Sequence, residues 1–269
     1  MPSDDDYLLG RTAEEFERLA RQAALIEPET EDLFRRAGIS AGMNVLEIGS
    51  GAGDVAMVVG RLVRPGGSVL GIEQSASSAA SASKRVAAAG NLPVRFEVAD
   101  LESYTPRGRY DALVGRFVLP YLADPPATLQ HLASYVNPAG VVAFMEFDVT
   151  KIGSVPEGPL FRKISEWMSE AFRDGINPSL GSALGSVFHS AGLPWPQMRF
   201  RKSVVDRMAS TGCWQRQLVQ CCRISCGLVL LLRSRSASIP SKHDCKMRRS
   251  PGSSQYFHRV GSVRGRSCR

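Results

Sequence analysis

The sequence predicts an α/β fold, a doubly wound and mainly parallel sheet with helices on both faces. Three observations carry this expectation. Short apolar strands alternate with helical segments from Asn44 onward, the first strand runs into a glycine-rich turn, and an acidic residue closes the second strand. With 269 residues, 43% hydrophobic and 22% charged, the chain can bury a sizeable core. No apolar run reaches the roughly 18 residues of a membrane span. The acidic start, Met1 to Asp6, has no apolar leader segment, so a cytoplasmic protein with no membrane partner is expected.

The elements follow in order. Residues 12–24 read as an amphipathic helix. Thr12 and Glu15 have capping-box spacing, and Phe16, Leu19, Ala20 and Ala23 lie on one face. A short second helix should run from a Thr30 cap to about Ala37, with Gly38 as its stop. Asn44–Ile48 is a strand and Asp54–Val63 a helix, broken by Pro65-Gly66-Gly67 before the strand Ser68–Ile72. An Ala/Ser-rich helix over 76–89 precedes the strands Val94–Val98 and Tyr110–Val114. Pro126 to Tyr135 is a helix, Asn137-Pro-Ala-Gly140 a turn and Val141–Met145 a strand. Residues 156–175 form an amphipathic helix bearing Phe161, Ile164, Trp167, Met168 and Phe172. A helix over Ser182–Ala191 and a sixth strand from Met198 to Val204 follow.

The segment most informative about chemistry is Val45-Leu-Glu-Ile-Gly-Ser-Gly-Ala-Gly-Asp54, between the first strand and its helix. Its glycines let the backbone approach a ligand with no Cβ in the way, and the helix start offers free N–H groups. Glu73 ends the second strand, where a carboxylate can accept from both hydroxyls of a ribose; a solvated acid at a strand end is the plainer alternative. A dinucleotide (NAD) fold competes, but its fingerprint is G-x-G-x-x-G, whereas here Gly49, Gly51 and Gly53 alternate. Glu47, two residues earlier, would repel a pyrophosphate and suits a ligand carrying an ammonium or sulfonium group.

The stretch Val45–Asp54 resembles motif I of the class I S-adenosylmethionine-dependent methyltransferases. Ile72-Glu73-Gln74 resembles the motif with the ribose-binding acid, and Ala99-Asp100-Leu101-Glu102 the motif at the adenine. Asp111 to Tyr121, with Gly115-Arg116-Phe117, is similar to motif IV of the small-molecule members, and Asn137 to Glu146 to the turn and fifth strand that follow. The resemblance covers about residues 40–150. It implies a Rossmann-like sheet with N-terminal helices over the cofactor, S-adenosyl-L-methionine as cofactor and a small-molecule methyl acceptor. Carried onto this chain, the cofactor-binding residues are Glu47, Gly49, Ser50, Gly51, Gly53, Glu73, Gln74, Asp100, Leu101 and Arg116. Tyr7 and Gln22 join them through similarity to the ubiquinone/menaquinone-methyltransferase-like branch, where the N-terminal segment packs over the cofactor.

No catalytic residue is assigned. The cofactor brings the activated methyl, and position alone can recover about 7–11 kcal/mol of barrier. Tyr121 and Glu146 are expected near the pocket mouth, where either could touch substrate, and His131 and His189 read as packing residues. No metal constellation is visible. Asp124-Pro125-Pro126 ends in Ala127 and reads as a helix start, not as the Asn/Asp-Pro-Pro-aromatic motif of base-modifying enzymes; a nucleic-acid base is not the expected substrate.

The charge is unevenly spread. Residues 207–269 carry +12 and all six cysteines, whereas residues 1–206 carry −5. The body over 1–206 is read as the catalytic domain and 207–269 as a basic Cys/Ser/Arg-rich tail, either a nucleic-acid arm or an out-of-frame or unfolded product. The family fold needs a seventh, antiparallel strand. The tail's apolar run, Gly227 to Leu232, shows no alternation, so the final strand is expected to be missing. On that basis a protein that binds the cofactor without turnover is the second functional alternative.

Overall fold

The computed structural model describes residues 13–151, 158–173, 176–201 and 227–233. Tyr7 and most of the 207–269 tail lie outside the described residues.

Helix α1 (Ala13–Ala37) runs unbroken through Pro28. This corrects the expected pair of short helices. Thr30 does not cap a new helix; its hydroxyl donates to the Ile26 carbonyl at 2.8 Å, inside the same helix. Arg35–Glu31 and Arg36–Asp32 pairs at i, i+4 line the outer face, while Leu33, Phe34 and Ala37 are buried. Packing of that buried face outweighs the local break signal of proline and threonine. Gly38, at φ +94°, stops the helix: Gly38 N–H donates to Arg35 and Ile39 N–H to Phe34.

β1 (Asn44–Ile48), α2 (Asp54–Leu62), β2 (Ser68–Glu73), α3 (Ala76–Ala88), β3 (Val94–Val98) and β4 (Tyr110–Arg116) follow as the pattern predicts. A 3₁₀ turn, Leu119–Tyr121, leads to α4 (Pro125–Ala133), whose N-cap Asp124 accepts from Ala127 N–H at 3.0 Å, in line with the helix-start reading. β5 spans Val136–Phe147, with the register shifted between Tyr110 and Ala112 of β4. The expected turn at 137–140 is thus an irregularity inside the strand. Asp111 pins it by accepting from the Asn137 side chain and from Asn44 N–H, both at 2.8 Å. Helices α5 (Pro159–Arg173) and α6 (Leu180–Ser190) precede β6 (Gln197–Arg201).

Among the described residues the sheet has seven strands in the order β3-β2-β1-β4-β5-β7-β6. The first five are parallel, as expected. The final strand is present, which corrects the expectation that it is missing: β7 (Gly227–Arg233) runs antiparallel to both β5 and β6. Its Leu-Val-Leu-Leu-Leu run lacks alternation because an interior strand between two neighbours can be apolar on both faces.

Successive residues point to opposite sides of the sheet, and two cores result. Leu46, Ile48, Leu70, Ile72 and Phe144 meet α4 and α6 through Leu129, Leu132, Leu184 and Phe188. Val45, Val69, Ala112, Val114 and Ala143 meet α1 and α2 through Phe34, Val55 and Val59. The carboxyl ends of β1, β4 and β5 converge between these layers, and the cleft opens there.

Candidate active site

The glycine loop after β1 is built from hydrogen bonds to the neighbouring strand. Gly49 N–H and Ser50 N–H both donate to the Ile72 carbonyl, at 2.9 and 3.1 Å. Gly49, Gly51 and Gly53 have φ of +67°, +53° and +82°, the left-handed region that glycine enters without strain. Space makes a further demand at Gly49, where a Cβ would stand 2.3 Å from Val118 Cγ2. At Gly51 a Cβ would meet nothing within 4 Å, so its backbone is open to an approaching ligand.

Two acids hold this loop from behind. Glu47 is buried on β1 and accepts from the Ser50 hydroxyl at 2.9 Å. Glu73, at the end of β2, accepts from Gly51 N–H with Oε2 at 2.8 Å and from Ser75 N–H with Oε1 at 2.9 Å. Burial pushes the Glu47 carboxyl up to about 8, against the opposing pull of Ser50 and Arg116 and with help from Glu73 and Asp54. Near neutral pH the burial therefore favours the protonated acid. Arg116 ends β4 on the same side of the sheet. Its Nη1 donates to Thr30 Oγ1 at 2.9 Å, and its guanidinium lies 5.7 Å from the Phe117 ring centroid. Burial lowers its pKa, while Asp54, Glu47 and Glu27 act the other way. Those carboxyls are already occupied: Asp54 pairs with Arg85 at 2.7 Å, Glu27 with Arg61 at 2.5 Å, and Glu47 accepts from Ser50. Among the described residues Arg116 has no ion-pair partner.

The cleft in front of the loop encloses about 170 Å³. Of the residues the sequence singled out, Gln22, Gly49, Ser50, Gly51 and Arg116 line it, with Glu47 buried beneath. Glu73, Gln74, Asp100 and Leu101 lie outside it, along the carboxyl ends of β2 and β3. Gln74 is exposed, Leu101 belongs to the core, and Asp100 accepts from Glu102 N–H and the Ser103 hydroxyl, both at 3.2 Å. Gly53 caps α2. The far wall is apolar: Phe117 and Phe147, edge to face at 5.3 Å, with Tyr121, Val149 and Phe172.

Sequence reasoning missed Phe117 and Thr30. Phe117 is a non-glycine residue at φ +57°, with no compositional signal to reveal it. Tyr121 lines the cleft as expected, whereas Glu146 is wholly buried and is not at the mouth. His131 packs against Tyr135 and bonds the Tyr104 carbonyl at 2.9 Å, as a packing residue should.

A glycine loop backed by two acids stands at the carboxyl ends of a doubly wound sheet that closes with an antiparallel strand. Residues 16–194 match the model of a methyltransferase domain family, and the chain belongs to that family. It is 31% identical over 102 residues to a ubiquinone biosynthesis O-methyltransferase of Rhodopseudomonas palustris (strain BisB5), a match covering 38% of this chain and 39% of that protein. The chain thus spans about two fifths of the length of the curated relatives it matches. The fold is that of a SAM-dependent methyltransferase from Aquifex aeolicus (18% identity, TM-score 0.50, 75% of this chain and 87% of the other). It is also that of phosphoethanolamine N-methyltransferase 2 from Haemonchus contortus, solved with phosphomonomethylethanolamine and S-adenosylhomocysteine (15% identity, TM-score 0.56, 76% and 52%). No helix among the described residues is long and apolar enough to cross a membrane.

Proposed function

We propose that this protein transfers a methyl group from S-adenosyl-L-methionine to a small-molecule acceptor. The observation that carries the reading is the loop Gly49–Gly53, open at Gly51 and backed by Glu47 and Glu73. Gly49, Ser50, Gly51 and Gly53 would cradle the methionine end of the cofactor, with Glu47 below them and Gln22 covering from α1. Glu73, whose oxygens each accept one hydrogen bond among the described residues, has lone pairs left for the ribose hydroxyls, with Gln74 beside it. Asp100 and Leu101 would flank the adenine, and Tyr7, outside the described residues, would join the set. Arg116, a half-buried cation with no ion pair among the described residues, is suited to the carboxylate of the methionine end.

The cofactor supplies an activated methyl on sulfur, and the chain's task is positional. Phe117, Tyr121, Phe147 and Phe172 form an aromatic wall against which an acceptor can be held in line. No side chain is assigned as a base. The acceptor is taken to be a small molecule and not a nucleic acid, and the setting to be cytoplasmic.

Titration calorimetry with S-adenosylhomocysteine tests the reading. Binding is expected, and Glu73→Ala should weaken it by roughly 1.5–3 kcal/mol for each charge-assisted hydrogen bond lost. A folded sample that binds NAD and not S-adenosylhomocysteine would overturn it.

A further inference from the structure

Glu146 stands near the carboxyl end of β5 and is wholly buried. Its Oε1 accepts from Val118 N–H and from Leu119 N–H, both at 3.1 Å, while its buried Oε2 has no partner among the described residues. The two amides need this acceptor. Phe117 N–H makes the last bond of the β4 edge, to the Met145 carbonyl at 2.9 Å. The chain then swings through φ +57° at Phe117 into the 3₁₀ turn. The leading N–H groups of a helical turn find no acceptor within it. A carboxyl from the adjacent strand fills the place that a capping side chain would occupy.

The turn held in this way forms part of the cleft. Phe117 and Tyr121, at its two ends, both line it. It also abuts the glycine loop, since Val118 stands where any side chain at Gly49 would have to go. We infer that Glu146 is the positioning residue of the site, fixing Val118 and Leu119 and thereby the spacing between the aromatic wall and the glycine loop. The inference rests on the methyl-transfer reading, and Glu146 itself need not touch either ligand. Burial pushes its carboxyl up to about 8, so near neutral pH it acts as an uncharged acceptor, a role an amide can take over.

The test compares Glu146→Gln, Glu146→Met and Glu146→Asp with the wild type, by S-adenosylhomocysteine calorimetry at a temperature where each is folded. Amide exchange at Val118 and Leu119 is followed alongside. Glutamine should keep both the affinity and the slow exchange. Methionine, which offers no acceptor, and aspartate, which withdraws the carboxyl by one methylene and serves if the methionine variant does not fold, should lose both. The expected drop in affinity is about tenfold, the worth of one net hydrogen bond transmitted to the loop. Unchanged affinity in the methionine or aspartate variant would overturn the inference. So would a glutamine variant as weak as methionine, since acceptance of two N–H groups would then not be the function of Glu146. Failure of the wild type to bind S-adenosylhomocysteine would instead overturn the methyl-transfer reading.

Discussion

Arg116 and Glu47 divide the electrostatics of the cleft between them. Among the described residues the Arg116 guanidinium donates to Thr30, while burial raises the carboxyl of the acid beneath the loop to about 8. If Arg116 meets the carboxylate of the cofactor, Arg116→Gln should weaken S-adenosylhomocysteine binding about 10–100-fold, as expected for a hydrogen bond to a charged group. It should leave 5′-methylthioadenosine, which lacks that carboxylate, unaffected; calorimetry with both ligands decides. Glu47 gives a stability prediction. Its carboxyl has an ordinary value of 4.5 and a folded value of about 8, so between those limits the native state binds more protons than the unfolded one. Stability is greatest below the lower value and falls as pH rises toward the upper, by at most about 1.4 kcal/mol per pH unit for such a group. Glu146 acts in the same direction. Denaturant midpoints should therefore fall from pH 5 to pH 8, and Glu47→Gln should flatten the slope; a flat wild-type curve would show that neither acid is held neutral.

Among the elements, the β1 loop is constrained at Gly49 by both backbone conformation and space. Gly49→Ala would force a Cβ into Val118 at 2.3–2.7 Å and hold alanine at φ +67°. It should both destabilise the protein, by about 1–3 kcal/mol, and weaken S-adenosylhomocysteine binding; a thermal melt and a titration on the same sample check it. This loop was legible in the sequence because glycine spacing and a preceding acid are local signals. So were the alternating strands, whose apolar residues report burial directly. What could not be read was set by contacts across the chain. The Thr30 hydroxyl bonds within α1 and accepts from Arg116, 86 residues away, so a residue that looks like a cap becomes part of the site. Phe117 takes its unusual backbone from the bond to Met145 and from the turn that Glu146 holds. Glu146 was placed at the right end of its strand, yet its partner amides belong to a turn that no pattern in the sequence announces.

At the scale of the molecule, β7 decides how much of the chain the fold requires. Among the described residues β6 pairs with β7 alone, and β5 has β7 on its outer side. Truncation after residue 206 should remove β7, detach β6 and leave the β5 edge unpaired. Lower solubility and a lower melting temperature are the expected outcome. A truncated protein that melts like the full chain would show that the 207–269 segment contributes nothing to the body, as a separate basic arm would not.

The position of β7 also sets an order of assembly. The first five strands are complete once Phe147 has been made, but the strand that covers the β5 edge begins only at Gly227. At a synthesis rate of 5–20 residues per second, the nascent chain passes roughly 4–16 s with that edge open and with β6 unable to join the sheet. Long-range antiparallel closure of this kind is slow to form even in the finished chain. On the ribosome, the glycine loop can therefore take shape well before the sheet is sealed, and this interval is when the growing protein is most exposed to pairing with its neighbours.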